Sequence, residues 1–155
     1  MPYKFVKVGL EERFYARLID NVILIGLYGA LSIFGKSIGA LLWYAIVFLP
    51  KDSFNKGRGV GKNYRDIVVI NTDNYELCNY SRSALRNIAS DLTVLLIVLQ
   101  FGYNEYFTQL LFIITMLIDV WKIQSSEDGK RIGDLFAHTQ VVYWSDYQKY
   151  LSQKK

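Results

Sequence analysis

Arg13, Arg17 and Asp20 follow i, i+4, i+7 spacing, which places them on one side of a helix. Farther along, Arg86 adjoins Asn87, Asp91 lies one turn beyond, and Asp119 completes a face begun by Thr108, Phe112 and Thr115. Carboxylates and guanidiniums arranged this way have two uses. As a functional cluster they bind a cation or exchange protons, because burial raises a carboxylate's pKa while a neighbouring arginine lowers it. As a structural cluster they neutralise one another and lock helices together. Residue type and spacing leave both uses open.

Other chemistries have less to stand on. Gly57-Arg-Gly-Val-Gly61-Lys62 falls short of the phosphate-loop spacing, and Asn63 occupies the place of its hydroxyl. It reads instead as a glycine-rich turn. With Lys51, Lys56, Arg58, Lys62 and Arg65 around it, this stretch is expected to meet anionic lipid headgroups or phosphate, at about 1 kcal/mol per basic residue near the surface. One cysteine (Cys78) and one histidine (His138) supply too few ligands for a zinc site and exclude an intrachain disulfide. No catalytic triad or cofactor fingerprint is present, so no enzyme, metal or cofactor is expected. A net charge of +4 is too small to announce nucleic acid, and none is expected as a partner.

The elements that must position these charges are apolar. Of 155 residues 52% are hydrophobic, and mean hydropathy is +0.14, high for a soluble protein. Residues 21–50 hold a single charge, Lys36, and residues 92–118 a single charge, Glu105. Each block exceeds the roughly 20 residues of one crossing. Phe34-Gly35-Lys36 interrupts the first and Gly102-Tyr103-Asn104-Glu105 the second. The expected fold is an all-α membrane protein of two transmembrane hairpins, with helices at about 15–34, 37–50, 83–103 and 106–121. Met1 to Glu12 is polar and does not read as a removable leader.

Segments 1–20, 51–91 and 119–155 hold 17 of the 18 lysines and arginines, and only Lys36 falls at an outer tip. This positive-inside pattern puts both termini in the cytoplasm and the chain in the inner cell membrane. Trp43, Trp121, Tyr15, Tyr103, Tyr106 and Phe107 fall near segment ends, where aromatic rings anchor at headgroup level. On the cytoplasmic side, residues 66–78 read as a β-hairpin turning at Thr72-Asp73-Asn74, and 138–144 as a third strand. Ser81 reads as the N-cap of the helix that follows. One domain thus covers 1–144, and 145–155 is a polar tail. Four short helices enclose little, so a homo-oligomer is expected in the bilayer.

These motifs resemble the RDD family of small bacterial integral membrane proteins, named for one arginine and two aspartates. Arg13-Phe-Tyr-Ala-Arg-Leu-Ile-Asp20 is similar to its first-helix motif. Gly57 to Lys62, Asp66-Ile-Val-Val-Ile70 and Leu85-Arg-Asn87 resemble its cytoplasmic stretch. Lys130-Arg-Ile-Gly-Asp134-Leu-Phe-Ala-His-Thr139 resembles its end, with Asp134 as the second aspartate. The resemblance implies transport of a small ion or solute, cation/proton exchange included. The alternative is a non-transporting interaction module with structural Arg–Asp pairs and a basic docking face. Two residues depart from the pattern: Arg17 stands where a small or apolar residue is usual, and His138 where glycine is usual.

Overall fold

The structure, a computed structural model, describes residues 3–31, 33, 42–53, 57–90 and 105–154, without the side chains of 31, 89–90, 105–109 and 111–112. Helix α1 spans Leu10–Leu31, with Glu11 and Glu12 in its first turn, where carboxylates complement the helix dipole. A π-helical segment, Trp43–Phe48, packs beside it, and Trp43 Nε1 donates to the Leu24 carbonyl at 2.7 Å. Then come α2 (Val60–Tyr64), β1 (Ile67–Asn71), α3 (Tyr80–Ser90), α4 (Glu105–Ser125), α5 (Ile132–Phe136), β2 (Thr139–Tyr143) and α6 (Trp144–Gln153).

The β-branched run Ile67-Val-Val-Ile70 forms the strand its composition predicts, and it is buried throughout. It pairs antiparallel with β2, Val69 opposite Val141. Alternate side chains serve two cores, as the two-residue period of a strand requires. Ile67 and Val69 join Val8, Ala16 and Cys78 against α1. Val68 and Ile70 join Phe5, Val142 and Tyr147 against α6.

Two local expectations change. The third strand exists but pairs directly with β1, giving a two-stranded sheet; the second arm of the expected hairpin contributes a single bridge, Ile70 to Leu77. Tyr75, in the left-handed region at φ +59°, breaks the extended run just before it. Helix α3 starts at Tyr80 with its cap at Asn79, whose Oδ1 accepts from the Arg82 N–H at 3.0 Å, so Ser81 lies inside the helix.

The polar tail expected over 145–155 is largely the helix α6. Trp144, Tyr147, Tyr150 and Leu151 turn toward the sheet, and Asp146 accepts from the Val6 N–H at 2.8 Å. Of the four expected crossings, α1 and α4 are described over most of their length, 37–50 is described from residue 42 on, and most of 83–103 lies outside the described residues. Among the described residues, no helix is long and apolar enough to cross a membrane. Both long helices nevertheless expose apolar faces: Val22 and Ile25 on α1 are about two-thirds exposed, and Ile113, Leu117 and Trp121 on α4 are also exposed.

Candidate functional site

Helix α1 meets α2 at unusually close range. The two glycines flanking Val60 allow it: a Cβ on Gly61 would stand 2.0 Å from the Ala16 carbonyl oxygen. At this distance the Asp20 carboxylate reaches the start of α2, where Gly61 N–H donates to Oδ1 at 2.7 Å. Backbone donors at a helix start have no partner within the helix, so Asp20 caps α2 from the neighbouring helix. Lys62 Nζ, one residue on, donates to Asp20 Oδ2 at 3.4 Å and also to Asp52.

Asp52 is completely buried. The segment carrying it is tied down by α3: Ser83 Oγ accepts from the Asp52 N–H and donates to the Leu49 carbonyl, to which Asn87 Nδ2 also donates. Arg86 lies between Asp52 and Asp134, its Nη1 3.4 Å from Asp52 Oδ2 and its Nε 2.6 Å from Asp134 Oδ1. Neither contact is aligned as a hydrogen bond. Arg131 also joins them: Nε is 3.4 Å from Asp134 Oδ1, Nη2 is 4.0 Å from Asp52 Oδ2, and Nη2 donates to Asn87 Oδ1 at 3.2 Å. Asp134, with no exposure, caps its own helix by accepting from the Arg131 N–H at 3.1 Å, and Arg13 Nη1 lies 3.8 Å away.

The electrostatics follow from this crowding. Burial disfavours charge on Asp52, but Lys62, Arg86, Lys51 and Arg131 outweigh it and hold the carboxyl well below its ordinary value. Asp134 is likewise lowered against its burial, by Arg86, Arg131 and Arg13. Arg13 is brought down to about 10 by burial and by Arg86 and Arg131, against the pull of Asp134, and stays protonated at neutral pH.

The cluster surrounds a cavity of about 80 Å³ whose wall includes Arg13, Arg17, Lys51, Lys62, Arg86 and Arg131 and, among the described residues, two carboxylates, Asp20 and Asp52. On a scale where about 10–15 Å³ holds one water, this is room for several. A larger groove of about 290 Å³ shares Asp20 and Lys51 with the cavity and runs along Ile23, Leu24, Leu27 and Val47.

Six of the candidate charges are thus placed. Arg13, Arg17, Asp20 and Arg86 come together with Asp134 around the cavity, and Asp119 is buried on α4. Asp91 and Lys56 lie outside the described residues. Among the expected lipid contacts, Lys51 and Lys62 line the cavity. Arg58 pairs with Asp66 and Arg65 with Glu12. Asp52, Arg131 and Ser83 were not foreseen. A lone carboxylate within the basic stretch 51–65 was the available signal for Asp52; Arg131 adjoins the motif that carries Asp134. Among the described residues, no group of three or more His, Cys, Asp or Glu side chains could hold a metal ion.

The arginine of the first motif and the aspartate of the last therefore share one cluster with the Arg86 of the middle one. The RDD family model matches residues 7–138. The chain belongs to the RDD family. This is a membrane-associated family. No curated protein and no solved structure matches the chain. His138, where glycine is usual in the family, takes φ +50° immediately after Ala137, the C-cap of α5. Helices commonly end on such a left-handed residue and favour glycine there.

Proposed function

We propose that this RDD protein is a multi-pass transporter of a small ionic solute, with the charged cavity as its cytoplasmic-side binding site. The observation that carries the reading is the course of α1. Its early turns contribute Arg13, Arg17 and Asp20 to the cavity, and its later turns expose Val22 and Ile25 as a lipid-facing helix does. In this reading 15–34, 37–50, 83–103 and 106–121 cross the inner membrane, and both termini are cytoplasmic, in keeping with the basic segments. A homo-oligomer completes the pathway, and no catalytic step is assigned.

Cation/proton exchange requires a carboxylate that takes up a proton. Asp52 and Asp134 are poorly suited to it because their cationic neighbours keep them ionised, which leaves Asp20 and Asp119 among the described candidates for that chemistry. The cationic wall favours an anionic solute instead. One observation favours the non-transporting alternative: Asp20 is already engaged by Gly61 and Lys62, as in a purely structural pair. Asp20→Asn separates the two, since an asparagine oxygen can still accept from Gly61 while the charge is lost. Transport predicts solute flux into proteoliposomes from the native chain and loss of it in a folded Asp20→Asn variant. Absence of flux for every small anion and monovalent cation tried would sink transport and favour a docking module.

A further inference from the structure

Among the described residues, basic side chains outnumber carboxylates in the wall of the cavity. Six basic side chains, Arg13, Arg17, Lys51, Lys62, Arg86 and Arg131, line the cavity beside the carboxylates of Asp20 and Asp52, and Asp134 pairs with Arg86. Arg86 is 3% exposed and lines the cavity; its Nη1 and Nε lie beside carboxylate oxygens of Asp52 and Asp134 without hydrogen-bond alignment, and Nε of Arg13 has no hydrogen-bond acceptor among the described residues. A buried guanidinium with unsatisfied donors is costly unless an acceptor is supplied. Planar guanidinium donors suit phosphate oxygens. The groove that shares Asp20 and Lys51 with the cavity joins these residues and Arg58 to the apolar Ile23, Leu24, Leu27 and Val47, so charged and apolar side chains line one surface.

We infer that the cavity binds a phosphate oxyanion, and that the groove beside it makes the phosphate of an anionic lipid the favoured source. This deepens the proposed function by naming the ligand class of its site, and it rests on that reading of the cavity as a binding site. Arg86 and Arg13 donate to the phosphate oxygens, Lys51 stands where cavity and groove join, and the chain's apolar tail lies along Ile23 and Leu27. A lipid held there would be a bound ligand or cargo, distinct from the diffuse attraction of a basic surface to a membrane.

The experiment uses the full chain. Thermal stability in detergent is titrated with inorganic phosphate against chloride at equal ionic strength. In parallel, native mass spectrometry scores lipid retained from nanodiscs of phosphatidylcholine with and without phosphatidate. Saturable stabilisation by phosphate, weakened at least about tenfold by Arg86→Lys, supports the site. Lys51→Gln, at a partly exposed position, gives the same weakening in smaller degree and serves if Arg86→Lys does not fold. Val60→Trp, at an exposed residue of the groove, separates the sources. Retention of phosphatidate over phosphatidylcholine, lost in Val60→Trp while phosphate still binds, supports the lipid source. Phosphate binding with no preference for phosphatidate supports the oxyanion site and overturns the lipid half. No saturable response to either, in protein with native circular dichroism, overturns the inference and leaves a water-filled cavity. Cation flux without phosphate binding would overturn it while sparing transport; phosphate binding without flux of any solute would do the reverse.

Discussion

Removing the charge of Asp134 tests how the cluster holds together. The carboxylate is fully buried among three guanidiniums, at 2.6 Å from Arg86, 3.4 Å from Arg131 and 3.8 Å from Arg13. Asp134→Asn preserves shape and an oxygen able to accept from the Arg131 N–H, so the cap of α5 is retained and the loss is electrostatic. A single unit pair 4 Å apart is worth about 4 kcal/mol at an effective dielectric of about 20. Asp52 continues to neutralise Arg86 and Arg131 in part. Stranding buried charge in this way typically costs about 3–5 kcal/mol, and the retained cap places Asp134→Asn near the lower end. That is a large fraction of the roughly 5–15 kcal/mol by which domains are stable. Asp128→Asn is the control, because its pair with Lys130 at 3.0 Å is half exposed and worth less than about 1 kcal/mol. Denaturant midpoints in detergent at neutral pH give the comparison. Adding Arg13→Gln to Asp134→Asn removes one stranded cation, and the double variant is expected to be more stable than additivity allows by about 1 kcal/mol. A loss below about 1 kcal/mol in Asp134→Asn, or strict additivity with Arg13→Gln, would refute the reasoning.

Gly61→Ala is expected to destabilise by about 3 kcal/mol, the upper range for overpacking, because its Cβ would strike the Ala16 backbone oxygen. Trimming the neighbour with Ala16→Gly gives no rescue, and thermal unfolding of the single and double variants checks both points. The carboxyls of Asp52 and Asp134 lie below their ordinary value of about 3.8, so in acid the unfolded chain binds more protons than the folded one. Their stabilisation is complete above about pH 5 and falls away as pH drops through the lowered values, which melting curves against pH will show; a midpoint flat down to pH 3 contradicts it. His138→Gly removes a left-handed non-glycine residue and is expected to stabilise by about 1 kcal/mol, since the exposed contact it forfeits with Asp73 adds little. A lower melting temperature in that variant would show that the histidine side chain matters more than its backbone.

Much of the site was legible before its geometry. The spacing of Arg13 to Asp20 placed both on one helix face, and the β-branched run after Asp66 formed a buried strand. What escaped were contacts between distant segments. Nothing local in Lys51-Asp52-Ser53 reveals that Ser83 and Asn87 clamp that loop so that Asp52 faces Arg86. Lys62 read as a headgroup contact because its neighbours are basic, whereas the glycines beside it bring α2 close enough to α1 to draw the lysine inward. In α6 the polar composition obscured a helical pattern: Trp144, Tyr147, Tyr150 and Leu151 recur at helical intervals, and that stripe packs on the sheet.

The central claim is that the charged cavity faces the cytoplasm while the apolar faces of α1 and α4 lie in lipid. Impermeant maleimide labelling of single-cysteine variants tests it most directly. The native Cys78 is a quiet background, being buried with its thiol pushed up to about 12 by that burial. Ser152→Cys on α6 is expected to label only in inverted membrane vesicles, Ser37→Cys only from the outside of intact cells, and Ile25→Cys from neither. Labelling of residues 37 and 152 from the same side, or ready labelling at residue 25, would contradict the account.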